Sequence, residues 1–178
     1  MSQASPYASV VLKPMRELNV ELGGRLNFHS EYGSNFSYTI NPSLFVSEKL
    51  KTFVNLYSAY KAPTLFELFD PLFGNQSLKP EVSFNFEGGA QWFFSKDLNA
   101  RAVYFYRDTK DAIEFIYTDP SNFISQYRNV SNKKAHDVEV ELEYRGDKWN
   151  LAANYTYTKG ELTSPYDNAG FPVGKDTT

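Results

Sequence analysis

Polar and apolar side chains alternate along most of this chain, and a period of two is the signature of strands whose two faces meet different surroundings. Across 18–29 one parity carries Leu18, Val20, Leu22, Gly24, Leu26 and Phe28, and the other Asn19, Glu21, Gly23, Arg25, Asn27 and His29. The pattern recurs at 35–47, with Phe36, Tyr38, Ile40, Pro42, Leu44 and Val46 against Asn35, Ser37, Thr39, Asn41 and Ser43. Phe45 breaks the parity there, and Pro42 removes a ladder donor. Segment 81–94 sets Val82, Phe84, Phe86, Gly88, Ala90, Trp92 and Phe94 against Glu81, Ser83, Asn85, Glu87, Gly89 and Gln91. The contrast is sharpest at 137–145, where Val138, Val140, Leu142 and Tyr144 oppose Asp137, Glu139, Glu141, Glu143 and Arg145. Segment 149–158 follows with Trp149, Leu151, Ala153, Tyr155 and Tyr157 on one side. With three less regular segments, 7–12, 52–60 and 98–107, the chain is predicted to be all-β, an antiparallel meander of about eight strands.

The connections form a second pattern. Residues 13–16, 47–49, 95–97 and 145–148 make short turns, whereas 61–80, 108–126 and 159–178 are long, and 30–34 is only slightly longer than a turn. A meander with tight turns on one rim and extended loops on the other is the plan of an outer-membrane barrel, whose long loops face outward. The aromatic content, 17% with 13 Tyr and 15 Phe, fits rings placed at two interfaces, although mean hydropathy is only −0.48. Trp149 and Tyr157 share a face and stand roughly 26 Å apart along a strand, or about 20 Å along the membrane normal after tilt. The same alternation also describes a soluble sandwich or a lipocalin-like barrel with the apolar face inward. That reading predicts Glu139 and Glu143 in water and Val138, Leu142, Leu151 and Phe86 in a dry centre.

Other functions are poorly served by this composition. Eighteen Lys and Arg against 21 Asp and Glu give no basic field, so a nucleic-acid partner is not expected. The chain has no cysteine and only two histidines, His29 and His136, so no thiolate cluster or local zinc motif is expected. No apolar run approaches the roughly 20 residues of a membrane helix, and residues 1–6 lack the basic and apolar regions of a signal peptide. The acidic row Glu139, Glu141, Glu143 has the spacing of one strand face, not of a converging acid and base, and no nucleophile elbow is present; no catalytic residues and no cofactor are expected. Asp108, Asp111 and Asp119 lack the spacing of a calcium loop, and no metal is expected. The Asn-x-Ser/Thr triplets at Asn35, Asn75, Asn129 and Asn154 are ascribed to the abundance of these residues.

Two motifs connect the pattern to a family. Tyr60-Lys61-Ala62-Pro63-Thr64-Leu65, followed by Gly74-Asn75-Gln76-Ser77-Leu78-Lys79-Pro80-Glu81, strongly resembles the barrel of TonB-dependent outer-membrane receptors, in which a strand ends in Tyr-Lys-Ala-Pro and the chain re-enters at Gly-Asn-x-x-Leu-Lys-Pro-Glu. Residues 105–113 resemble the family's next strand top, and Tyr127-Arg128-Asn129-Val130 the start of its return. The resemblance covers about residues 7–162, and within the family the spacing looks most like the vitamin B12 receptors, with siderophore receptors sharing nearly all of it. It implies a place in the Gram-negative outer membrane, within a plugged barrel of about 22 strands that imports cobalamin, a ferric siderophore or a similar complex. The implied partners are membrane lipid, the plug domain, TonB through that plug, and a small organic or metal-complex ligand. No plug, TonB-contacting box or closing strand is recognisable in 1–178, which is therefore expected to be an internal piece of such a barrel. The alternatives are a small eight-stranded membrane barrel and a soluble carbohydrate-binding sandwich.

Phe66, Phe69, Asp70 and Phe73 lie between the two motifs, where aromatic rings and an acid on an outer loop could grip a polar organic ligand. Packing of the loop on itself is the competing role for these rings. Pro63, Gly74, Asn75 and Pro80 have the chemistry of turn formers. Lys61 and Glu81, at the rim, could serve either as a structural ion pair or as ligand contacts.

Overall fold

The computed structural model describes residues 1–119, 124–130 and 132–164, with backbone alone at 118 and 119. The strands are β1 (Gln3–Ala4), β2 (Tyr7–Leu12), β3 (Leu18–His29), β4 (Gly33–Ser47), β5 (Leu50–Lys61), β6 (Glu81–Phe93), β7 (Leu98–Lys110), β8 (Ile113–Asp119), β9 (Ile124–Asn129), β10 (Asn132–Arg145) and β11 (Asn150–Thr163), with one short helix, α1 (Leu65–Phe69). One antiparallel sheet runs β1-β3-β4-β5-β6-β7-β10-β11, and β2 pairs β3 farther along the same edge as β1. The sheet is therefore eight strand positions wide, as the alternation predicts. Strands β8 and β9 form a separate hairpin inside what the sequence suggested was an irregular loop.

Two irregularities in β4 have local causes. The β4–β5 ladder has no paired residues at Asn41 and Pro42, where proline supplies no N–H, and a register shift lies between Phe45 and Ser47. The shift follows Phe45, which keeps the register of the rest of the ladder opposite Lys51 and so lies on the polar face. There the Phe45 ring stacks at 6.5 Å from that of Phe93, and the Lys51 ammonium lies 5.7 Å from the Phe45 centroid.

The two faces meet the surroundings in the order of a membrane barrel. Val138, Val140, Leu142, Leu151, Tyr155 and Tyr157 are exposed, as are Trp92 and, at 71%, Trp149. Among the described residues, Val103 alone of the buried hydrophobic side chains belongs to the main sheet, which there encloses no dry centre. The polar parity lines the recesses instead, including one of about 470 Å³ bordered by Glu21, Arg25, Asn27, Ser37, Thr39 and Tyr57. Asn27 and Asn85 are buried at 5% and 2% exposure. Hydrogen bonds cross this wall: Tyr57 Oη donates to Glu87 Oε1 at 2.8 Å, Asn55 Nδ2 to Glu87 Oε2 at 2.9 Å and Arg107 Nε to Asn85 Oδ1 at 2.9 Å. Arg101 pairs with Glu141 at 3.4 Å and lies 5.2 Å from the Phe53 ring centroid. Gly89 is required beneath that ring, since a Cβ there would stand 2.6 Å from both Phe53 Cζ and the Ala102 carbonyl oxygen. An inward apolar core, the condition of the soluble sandwich, is not what these faces build.

Turns 13–17, 48–49, 94–97 and 146–149 lie on one rim, and 30–32, 62–80 and the segment after Lys110 on the other. Strands β10 and β11 run farther toward the long-loop rim than alternation indicates, starting at Asn132 and ending at Thr163. Their extensions carry Lys134, His136, Lys159 and Glu161 on the apolar parity, which erases the sequence contrast while the ladder continues. Residues 165–178, expected to be loop, lie outside the described residues.

Candidate functional site

The long-loop rim carries a small structure with its own core. Beyond β5 the buried Pro63 turns the chain, and Thr64 caps α1. The Thr64 N–H donates to Glu67 Oε2 at 2.7 Å while the Glu67 N–H donates to Thr64 Oγ1 at 3.2 Å, a reciprocal capping box. Burial alone would raise the Glu67 carboxyl, but the Thr64 hydrogen bonds and the Lys61 ammonium outweigh it and hold the group below its ordinary value. Lys61 Nζ reaches Glu81 at 2.9 Å and Glu67 at 3.4 Å, and Glu81 Oε1 also accepts the Ile113 N–H at 3.1 Å. Lys61 and Glu81 thus form an ion pair that ties the loop bases together.

The re-entry motif is a scaffold. Asp70 Oδ1 accepts the N–H groups of Leu72 and Phe73, and the Gly74 N–H donates to the Asp70 carbonyl. A Cβ on Gly74 would lie 2.6 Å from that oxygen, so only glycine fits. Asn75 donates through Nδ2 to the Tyr127 carbonyl at 2.9 Å, and its Oδ1 accepts the Ser77 N–H and hydroxyl. Leu78 is buried, as are the loop residues Leu68, Ala112 and Val130. The hairpin of β8 and β9 is fastened to the first loop chiefly by Asn129. Its Oδ1 accepts the Lys79 N–H at 2.8 Å, and its Nδ2 donates to the Lys79 carbonyl at 2.9 Å and the Asp111 carbonyl at 2.6 Å. Asp111 has a left-handed backbone, φ 52°. The Tyr127 N–H to the Phe73 carbonyl and Gln126 Nε2 to the Gly74 carbonyl complete the clamp. Asn75 and Asn129, both in glycosylation-like triplets, therefore have their carboxamides committed.

The clamp assembles four rings. Phe66 meets Tyr127 edge-on at 6.0 Å, Tyr127 lies 5.1 Å from Phe115, and Phe73 meets Phe115 edge-on at 5.2 Å. Phe66 and Phe69 are 57% and 51% exposed, whereas Phe73 is half-buried and Asp70 is engaged in its turn. Sequence reasoning missed Phe115, Tyr127 and Asn129 as members of this group. The signal for the first was the β-prone run Ile113-Glu114-Phe115-Ile116-Tyr117, which sits inside an otherwise polar connection. Tyr127 and Asn129 lie at the end of β9 rather than at the start of the return strand, which begins at Asn132. Of the acids considered for calcium, Asp108 is on the apolar parity of β7 and Asp111 is at the rim; the Asp119 side chain lies outside the described residues. Among the described residues no three His, Cys, Asp or Glu side chains converge as metal ligands.

The family model for the TonB dependent receptor-like β-barrel matches residues 2–177. The chain belongs to the TonB-dependent receptor family. It is 36% identical over 134 residues to the probable TonB-dependent siderophore receptor PirA of Acinetobacter baumannii, covering 62% of this chain and 17% of that protein. A 35% match to the vitamin B12 transporter BtuB of Photobacterium profundum is shorter, 63 residues, with 35% of this chain and 10% of that protein. Among solved structures, the siderophore receptor PirA from Pseudomonas aeruginosa superposes with a TM-score of 0.79 at 25% identity, covering 90% of this chain and 32% of that one. The receptor segment described here thus spans well under half of the relatives it matches.

Proposed function

We propose that this segment is one part of the wall and rim of an outer-membrane receptor that binds a scarce metal complex outside the cell and imports it. The observation that carries this reading is the inverted sheet, apolar outside and hydrogen-bonded polar inside, crowned on a single rim by clamped aromatic loops. An inward polar wall suits a protein plug, which would supply partners for Asp137 and Glu139, and through which TonB would act. Membrane lipid would cover the outer face, in the Gram-negative outer membrane. Import by binding and release requires no acid–base or nucleophilic arrangement.

Phe66 and Phe69 would contact the ligand, with Asp70 and Phe73 positioning them through the turn and the ring cluster. A ferric siderophore is favoured over cobalamin because the match to a siderophore receptor covers more of this chain than the match to a cobalamin transporter. The test is uptake by a strain lacking the full receptor and complemented with it, using a ferric catecholate, a ferric hydroxamate and cyanocobalamin. One of the iron complexes is expected to enter in a TonB-dependent manner, with Phe66→Ala plus Phe69→Ala weakening half-saturation about ten-fold or more. Uptake of cyanocobalamin alone, or of none of the three, overturns the assignment.

A further inference from the structure

The ladders of the main sheet are not equally complete. Strand β3 is paired with β4 at every position from Leu18 to His29, and β5 with β6 at every position from Leu50 to Lys61. Between them, β4 meets β5 only at Thr39, Ile40, Ser43, Leu44, Phe45 and Ser47. The pairing stops at Thr39 and Tyr57 although β4 reaches up to Gly33 and β5 to Lys61, which leaves a notch in the wall at the long-loop rim. The alternation of the ladder accounts for the second gap, at Asn41 and Pro42. The Tyr38 N–H points to β5, where Ser58 Oγ accepts it at 3.1 Å, and the Phe45 N–H points the other way, where the Glu17 carbonyl accepts it at 2.9 Å. Even positions of β4 therefore address β5 and odd positions β3, so Pro42 removes a donor on the β5 side.

The side chains divide in the same place. On the inner face Asn41 Nδ2 donates to Glu21 Oε2 of β3 at 3.2 Å, while on the other side of the seam Asn55 Nδ2 and Tyr57 Oη donate to Glu87 of β6 at 2.9 and 2.8 Å. Asn41 and Asn55 would face each other in a complete ladder, yet each is bound away from the seam. Among the described residues, the side-chain hydrogen bonds that do cross it come from two hydroxyls: Ser58 Oγ accepts the Tyr38 N–H, and Thr52 Oγ1 donates to the Leu44 carbonyl at 3.4 Å. Both hydroxyls lie on the outward parity, opposite Phe84 and Ala90 of β6. A hydroxyl facing hydrocarbon is costly unless it meets a backbone group, and here each one does. At the short-turn end the seam is closed, because turn 48–49 joins the strands, the Phe45 ring stacks with Phe93 of β6 and the Lys51 ammonium lies over Phe45.

We infer that the β4–β5 seam is a hinge in the receptor wall. Strands β1–β4 form one body, β5–β7 with β10 and β11 the other, and the two separate at the long-loop rim while the ladders on either side stay closed. Opening costs little there, because the pairs it would break above Thr39 are already missing. The inner face leaves room along the joint, with recesses of about 470 Å³ beside Thr39, Tyr57 and Ser58 and about 440 Å³ beside Asn41, Pro42 and Asn55. Such a joint widens the outer mouth without tearing the wall, and the inference rests on the membrane-barrel reading above.

The test is residue-resolved amide hydrogen exchange on the full receptor in non-ionic detergent. After correction for intrinsic rates, the Tyr38 and Ile40 amides, which address β5, should exchange about ten-fold or more faster than those of Thr39 and Asn41, which address the complete ladder with β3. Ser37→Cys plus Ala59→Cys places two thiols opposite each other where the register of Thr39 and Tyr57 is continued across the notch. The oxidised bridge should abolish the difference, and reduction should restore it. Pro42→Val returns the missing donor and should slow the Ile40 amide. Equal exchange of the two sets in the unmodified receptor overturns the inference even if the variants fail to fold, as does a difference that survives the oxidised bridge. Failure of the barrel reading looks different: the unmodified protein would stay monodisperse without detergent.

Discussion

Replacing Asn129 by alanine should release the outer loops from each other while leaving the barrel wall intact. The carboxamide makes three hydrogen bonds, at 2.8, 2.9 and 2.6 Å, and all three cross between the hairpin and the backbone around Lys79 and Asp111. The groups are partly open to solvent, so water recovers some of each bond, and a net worth near 0.5–1 kcal/mol apiece gives about 2 kcal/mol for the set. That corresponds to about a 30-fold increase in the population of the opened loop unit. Amide hydrogen exchange on the full receptor in detergent would read it. Amides of 74–79 and 124–130 should exchange about 30-fold faster, while those of β5, β6, β7 and β10 below the rim keep their protection. Asn129→Asp is the sharper variant, since it keeps the acceptor for the Lys79 N–H but sets a carboxylate against two carbonyl oxygens. It should open the loops at least as much as alanine does. Unchanged exchange in both variants, or an equal loss of protection in the strands, would refute the idea that this side chain unites the loops into one body.

Two further outcomes follow from the faces and the cap. Val140 lies midway along the outward row of β10, so Val140→Arg should cost about 2–4 kcal/mol of folding into bilayers, whereas Glu139→Arg, one residue away but inward, should cost little; urea midpoints in vesicles compare them, and equal costs would invert the face assignment. The Glu67 carboxyl is held below its ordinary value, so the capping box is fully present above the unfolded carboxyl's range and is lost as pH falls through the lowered folded value. Exchange at the Glu67 and Leu68 amides should therefore accelerate, beyond its intrinsic pH dependence, between about pH 5 and pH 3, and Glu67→Gln should remove that step.

The wall was legible in the sequence because lipid on one side and a polar interior on the other impose opposite demands on neighbouring residues, and Asp137 to Tyr144 record that demand position by position. Legibility ended where the demand ended. Above His136 both parities of β10 meet water or headgroups, so Lys133 and Lys134 look like loop residues although the ladder runs through them. The hairpin was hidden for a related reason. Its strands are held by partners far along the chain, as where Gln126 Nε2 donates to the Gly74 carbonyl 52 residues away, and local periodicity carries no trace of such a partner. The motifs were visible, but not what their residues do: Asn75 and Glu81 are joints between loops, and the partners that make them so, Tyr127 and Ile113, lie outside the motif.

The distribution of buried apolar residues then has a single explanation. On the membrane reading proposed above, the sheet needs no centre of its own, because hydrocarbon would cover the exposed Val138, Leu142 and Leu151 and the backbone is satisfied along the ladders. The loops stand in water without that cover, and a structure there persists only if it buries apolar surface itself. Leu68, Leu78, Ala112 and Val130 do so, and the carboxamides of Asn75 and Asn129 satisfy the irregular backbone that encloses them. A rim built in this way holds Phe66 and Phe69 exposed without collapsing onto them, as the ligand contact proposed above requires.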